Sequence, residues 1–227
     1  MKWILWLLKG WQLALGGLLC AVLMLAGCES GNKSHLGDGH DFGRNNPNLY
    51  VAMGDSITAG SGLANPNDRY SDKLAGLLDK NVMNAAVVNE GFPGAASSAI
   101  LDALYNILDD TKPGYVLILA GVNDLIMGYG EDGAAINIRI MIQACIDNKT
   151  IPVIATLTPT FGGYAALSSG IGRLNVMIRQ ICADLDVALV DLNAAFNENP
   201  IYIQSDGLHP NESGHSLMAI TFYDVVN

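Results

Sequence analysis

The chain has 227 residues, half of them apolar, with 12 Lys and Arg against 22 Asp and Glu and a net charge of −10. That length suits one domain, or two small ones, with a real core. The acidic balance argues against nucleic-acid binding, which needs a basic surface, and 15% charged residues is too few for a disordered chain. The mean hydropathy of +0.28 is still high, and the excess has one address. Residues 1–27 hold 20 apolar side chains, two Lys (Lys2, Lys9), no acid and all three Trp (Trp3, Trp6, Trp11). From Gly10 to Gly27 there are 18 uncharged residues in a row.

Three readings fit this leader: a retained signal anchor, since about 20 apolar residues span a bilayer; a secretory leader with small residues at its cleavage site; or a lipoprotein leader. The third rests on Leu25-Ala26-Gly27-Cys28, which resembles a bacterial lipobox, and it is preferred because small residues precede a Cys where the apolar run stops. Cys28 is then lipidated and begins the mature chain. Cys20 fits less well, because Leu19 rather than a small residue precedes it. Every reading exports the remainder. Glu29 rather than Asp after Cys28 resembles sorting patterns of Gram-negative outer-membrane lipoproteins. Residues 28–48 are rich in Gly, Asn, Ser and Asp and read as a flexible linker, with His35 and His40 solvated in it. Without residues 1–27 the chain carries 10 basic against 22 acidic side chains, a charge of −12.

From residue 49 onward the pattern alternates. Short β-branched or apolar runs occupy 49–53, 85–88, 115–120, 151–157 and 187–190. Helical spacing falls at 68–80, 97–109, 133–148, 171–185 and 211–225, with Asp68 and Ser97 as N-cap candidates. Strand–helix alternation with unbroken apolar strands predicts an α/β domain over 49–227: a five-stranded parallel sheet covered by helices on both faces. Ligands bind such sheets at the carboxyl ends of the strands. The polar segments there are Gly54-Asp55-Ser56, Asn89-Glu90-Gly91, Asn123-Asp124, Thr158-Pro159-Thr160 and, after the fifth strand, Asp206-Gly207-Leu208-His209.

A serine hydroxyl is a poor nucleophile until a base takes its proton. Of the four His, His209 sits on a loop at that edge, and Asp206 lies three residues earlier, close enough to orient the imidazole. His215, further into the last helix, reads as a surface or packing residue. Four blocks carry a resemblance. Gly54-Asp55-Ser56-Ile57-Thr58 resembles the nucleophile block of the SGNH (GDSL-like) hydrolases. Asn89-Glu90-Gly91-Phe92-Pro93-Gly94, Gly121-Val122-Asn123-Asp124 and Asp206-Gly207-Leu208-His209 resemble the second, third and last blocks, in the family's order. The resemblance implies a flavodoxin-like three-layer α/β/α fold. It implies Ser56 as nucleophile, His209 as base, Asp206 as its orienting acid, and an oxyanion hole from the Ser56 and Gly94 N–H groups and the Asn123 amide. It implies no metal or cofactor.

Asp55 and Asp124 are expected to bond nearby loop backbone. Ile57 stands where the family's name carries Leu, Ala95 follows Gly94 where an acid is often found, and Glu90 has no assigned role. No Gly-x-Ser-x-Gly elbow or P-loop occurs, and no Gly-x-Gly-x-x-Gly fingerprint follows the first strand, which argues against an α/β-hydrolase and removes support for a nucleotide site there. Cys145 and Cys182 lie at apolar helical positions and are expected to be buried free thiols, although an exported compartment permits a disulfide. Residues 125–129 and 158–164 are expected to wall the acyl side. The expected activity is exported, membrane-anchored hydrolysis of lipid, glycan or small-molecule esters through an acyl-enzyme. A carbohydrate O-deacetylase and a non-catalytic surface binding protein on the same fold are the alternatives.

Overall fold

The computed structural model describes residues 35–227. The leader, Cys28 and the start of the tether lie outside the described residues.

Five parallel strands form one sheet: β1 (Asn46–Gly54), β2 (Ala86–Gly91), β3 (Pro113–Leu119), β4 (Ile151–Ala155) and β5 (Ala188–Val190), in the order β2-β1-β3-β4-β5. Central strand β3 is buried at every residue, as its unbroken apolar run requires when both faces are covered. Edge strand β2 is half exposed. Among the described residues eight α-helices accompany the strands: α1 (Ser56–Ala59), α2 (Tyr70–Leu78), α3 (Ser97–Thr111), α4 (Val122–Ile126), α5 (Glu131–Asp147), α6 (Ser168–Leu185), α7 (Leu192–Phe196) and α8 (Glu212–Val226). Helix α2 packs on α8, while α5 packs on both α3 and α6, completing three layers. Each long helix buries one stripe. In α3 it is Ile100, Leu104, Ile107 and Leu108, and in α6 it is Ile171, Leu174, Ile178 and Ile181. Cys145 and Cys182 fall in such stripes as buried free thiols. Burial pushes the Cys182 thiol up to about 11 and raises Cys145 as well, so neither is a nucleophile at neutral pH.

Besides the short helices α1, α4 and α7, which the spacing does not predict, local order departs from expectation at three places, each for a tertiary reason. The tether is shorter than 28–48, because residues 35–45 pack onto the amino-terminal edge of the sheet. His35 lies 3.3 Å from the Tyr50 hydroxyl and 3.4 Å from that of Tyr115, and these two tyrosine rings stack at 4.3 Å. His40 meets the Lys149 carbonyl at 3.1 Å, and Phe42 packs against the core, so neither histidine is free in a linker. Strand β4 stops at Ala155 rather than running to 157, because the buried Asn175 side chain takes over its backbone pairing. It accepts from Leu157 N–H at 2.7 Å and donates to the Leu157 carbonyl at 3.1 Å. Neither N-cap candidate caps. Asp68 closes a 3-10 turn (Pro66–Asp68) and pairs with Lys73 at 2.8 Å, and Ser97 is the first helical residue of α3.

The order β2-β1-β3 reverses chain direction across the sheet between β1 and β3. In doubly wound sheets that switch point opens the crevice where ligands sit. Ser56 follows β1 and Asn123 follows β3, so both candidate residues flank it.

Candidate active site

Strand β1 runs directly into α1, and Ser56 is the first helical residue. Asp55 caps it, its Oδ1 accepting from the Ile57 N–H at 2.9 Å. The Ser56 Oγ therefore stands at the carboxyl edge of the sheet on a short, fixed turn.

His209 arrives from the other side. The Asp206 Oδ1 accepts from the N–H groups of Leu208 at 2.9 Å and His209 at 3.1 Å, folding residues 206–209 into an Asx turn. Gly207 holds that turn at φ 82°, and its backbone lies so close to the Phe161 carbonyl that a Cβ would sit 2.2 Å from it. Gln204 fastens the loop, donating its side-chain amide to the Ser61 and Pro210 carbonyls, both at 2.9 Å. The result is a continuous series: Ser56 Oγ to His209 Nε2 at 2.9 Å, and His209 Nδ1 to Asp206 Oδ2 at 2.6 Å. Partial burial pushes Asp206 up, but the hydrogen bonds from the His209 ring and the two backbone N–H groups outweigh it and hold its carboxyl below the ordinary range. An ionised Asp206 selects the tautomer with the proton on Nδ1, which leaves Nε2 free to accept from Ser56.

Besides Ser56, the residues assigned to the oxyanion hole, Gly94 and Asn123, lie on two hydrogen-bonded segments. Gly94 turns with φ 80°, a conformation that favours glycine, and among the described residues nothing stands within 4 Å of where a Cβ would project. Asn123, buried at the start of α4, donates one amide hydrogen to the Ala95 carbonyl at 3.0 Å, next to Gly94. Its second amide hydrogen remains available. Among the described residues neither Ser56 N–H nor Gly94 N–H has an acceptor. Ser56 Oγ is thus bonded to a base, and these residues offer unpaired donors, the two kinds of group that acyl transfer requires.

Of the segments expected to wall the site, 158–164 reaches the catalytic loop through Phe161 N–H to the Gly207 carbonyl at 2.7 Å. In segment 125–129, Ile126, Met127 and Tyr129 are exposed. Sequence reasoning missed Gln204 and the long-range role of Asn89, whose amide donates to the Thr58 carbonyl at 2.7 Å and Ser71 Oγ at 2.8 Å. A lone Asn or Gln gives no periodic signal. Glu90 is the penultimate residue of β2, and nothing in its contacts assigns it a role.

Two further groups lie buried near the site. His215 packs as expected, but fully inside: its Nδ1 accepts from Tyr70 N–H at 3.1 Å and its Nε2 has no partner among the described residues. Burial, then the Lys73 charge, lowers it to about 4. Burial raises Asp55 to about 6 against the opposing hydrogen bond from Ile57. The two act in opposite directions. The unfolded chain protonates His215 from pH 6.5 downward while the fold resists until about 4, so this histidine removes stability as the pH falls across that window. The fold retains the Asp55 proton up to about 6 while the unfolded chain releases it near 3.8, so this carboxyl removes stability as the pH rises. His215→Asn, which keeps an acceptor for Tyr70 N–H, should make the protein more resistant to urea at pH 4.5 relative to pH 6.5 than the wild type is. The expected difference is about 2 kcal/mol. Identical pH dependence in both proteins would show that His215 is not held neutral.

A sequence model of the GDSL-like Lipase/Acylhydrolase family matches residues 52–217. The chain belongs to that family. It has the three-layer fold of its structural neighbours. Among these are the psychrotrophic esterase EstA from Pseudoalteromonas sp., 21% identical with a TM-score of 0.65 over 79% of this chain and 96% of that one. Another is a catalytic mutant of Axe2, an acetylxylan esterase from Geobacillus stearothermophilus, 21% identical with a TM-score of 0.69 over 81% and 95%. A GDSL-like lipase from Bacteroides thetaiotaomicron is 22% identical with a TM-score of 0.64 over 78% and 87%. Among curated proteins, N-acylneuraminate cytidylyltransferases of Streptococcus agalactiae are 22% identical over 193 residues, which is 84% of this chain and 41% of theirs. The chain thus spans less than half the length of the curated relatives it matches.

Proposed function

We propose that the protein is an exported serine esterase held at a membrane by lipid on Cys28, in the periplasm or at the cell surface of a Gram-negative bacterium. The observation that carries the catalytic reading is the bonded series Ser56, His209, Asp206. Ser56 Oγ attacks the ester carbonyl as His209 Nε2 takes its proton. The tetrahedral oxyanion is held by the N–H groups of Ser56 and Gly94 and the amide of Asn123. His209 returns the proton to the leaving alcohol, and water admitted to the same base then cleaves the acyl-enzyme. The lipid anchor rests on Leu25-Ala26-Gly27-Cys28, and the outer-membrane destination on Glu29.

A second reading, O-deacetylation of an envelope or extracellular polysaccharide, is favoured by the openness of the site. The Asp206 side chain is 42% exposed, and Tyr129, beyond Asn123, is 66% exposed, an aromatic face offered to solvent. The Axe2 acetylxylan esterase on the same fold lends it analogy. One experiment addresses both readings. Labelling with a fluorophosphonate probe should modify Ser56, and a panel of p-nitrophenyl esters and acetylated glycans should show turnover that falls with acyl length if the deacetylase reading holds. Absence of labelling would leave a binding protein on this fold.

A further inference from the structure

Helix α3 begins at Ser97, and its N-cap residue, Ala96, supplies no side-chain cap. Its cap comes from another element. The Asp124 carboxylate, on α4, accepts from Ser97 N–H at 2.8 Å through Oδ2 and from Ser97 Oγ at 2.6 Å through Oδ1. Asn137 on α5 donates to the same Ser97 Oγ at 2.9 Å. Asp124 is 3% exposed and Ser97 is fully buried. Capping alone does not require a buried charge: at α8 the neutral Asn211 amide oxygen accepts from Ser213 and Gly214 N–H, both at 3.0 Å. Withdrawing a carboxylate from water is costly unless it is fully bonded, and both Asp124 oxygens are bonded to one residue.

That residue lies three positions after Gly94, and Asp124 follows Asn123 directly. Asn123 reaches across to the same segment, at the Ala95 carbonyl. Two adjacent side chains of α4 therefore grip residues 95–97 together. Gly94 itself has nothing beyond its backbone to hold it, since open space surrounds the position of a Cβ. We propose that Asp124 is a positioning residue, its carboxylate clamping the start of α3 to α4 so that Gly94 N–H and the Asn123 amide keep one spacing as oxyanion donors. The proposal rests on the serine-esterase reading. It makes Asp124 a residue of turnover rather than of folding alone, because oxyanion donors act by holding a fixed position before charge develops.

The test is a double-mutant cycle on the full-length protein with p-nitrophenyl acetate. Asp124→Asn should lower kcat about 10- to 100-fold and change KM less than threefold, with the rate of fluorophosphonate labelling falling in parallel. In an Asn123→Ala background the same substitution should cost less than a further threefold, because the spacing that Asp124 sets has already lost one of its two donors. Effects that multiply to the full product, or a change confined to KM, would overturn the clamp. Ser97→Ala keeps the N–H and loses the hydroxyl, and should lower kcat several-fold. If Asp124→Asn fails to fold, wild-type kcat in Ser97→Ala overturns the proposal. If the wild type cleaves no ester, the esterase reading falls and the clamp is judged by amide hydrogen exchange. Asp124→Asn should then speed exchange in residues 92–97 and 121–127 without affecting 203–210, and a uniform change across all three segments would overturn it.

Discussion

Ser56→Ala is expected to lower kcat for p-nitrophenyl acetate by about 10⁴- to 10⁶-fold, with KM and thermal stability near those of the wild type. The substitution removes one oxygen from a half-buried side chain at the first position of α1. The local structure does not depend on that oxygen, because Asp55 caps the turn through its own bond to Ile57. Oxyanion donors and bound substrate remain, so a small residual rate above that in water is expected. Fluorophosphonate labelling should vanish with turnover. Wild-type turnover in the variant would show that another group attacks the ester, and the reading built on Ser56 and His209 would then fail.

Most of the architecture could be read before any coordinates because it follows from local patterning. Buried strands such as 115–120 show as unbroken apolar runs, and the helical stripes show at 3.6-residue spacing. The four polar blocks are informative because a parallel sheet brings the carboxyl ends of all its strands to one edge. Residues as distant as Ser56 and His209 could therefore be paired from their positions along the chain, and they lie 2.9 Å apart. What escaped notice was long-range and polar. Ser97 resembled an N-cap because its local sequence permits one, yet the capping carboxylate comes from Asp124, 27 residues away. Composition made residues 35–45 look like linker, since a few contacts from His35, Leu36 and Phe42 leave little trace in a Gly-rich stretch. Asn175 ended β4 early through two side-chain hydrogen bonds that no hydropathy pattern encodes.

Asp206→Asn is expected to reduce kcat about 10³- to 10⁴-fold at neutral pH, the scale seen when a histidine is held in the wrong tautomer. The native Oδ1 is committed to the N–H groups of Leu208 and His209, so an asparagine oxygen at that position preserves the turn. Its NH₂ then faces His209 Nδ1 in place of Oδ2, at a site where the native separation is 2.6 Å. A donor there forces Nδ1 to accept, moves the ring proton to Nε2, and aims that proton at Ser56 Oγ. The imidazole can no longer take the serine proton, although every heavy atom stays in place. KM and the urea midpoint should therefore stay near wild type while kcat falls, and fluorophosphonate labelling should slow by a similar factor because it needs the same proton transfer. Because the Asp206 side chain is 42% exposed, water can replace part of its role, which sets the expected loss below that of Ser56→Ala. Retention of more than about a tenth of wild-type kcat would mean that solvent and the rest of the loop suffice to set the His209 tautomer, and that the ionised carboxylate contributes chiefly by folding residues 206–209.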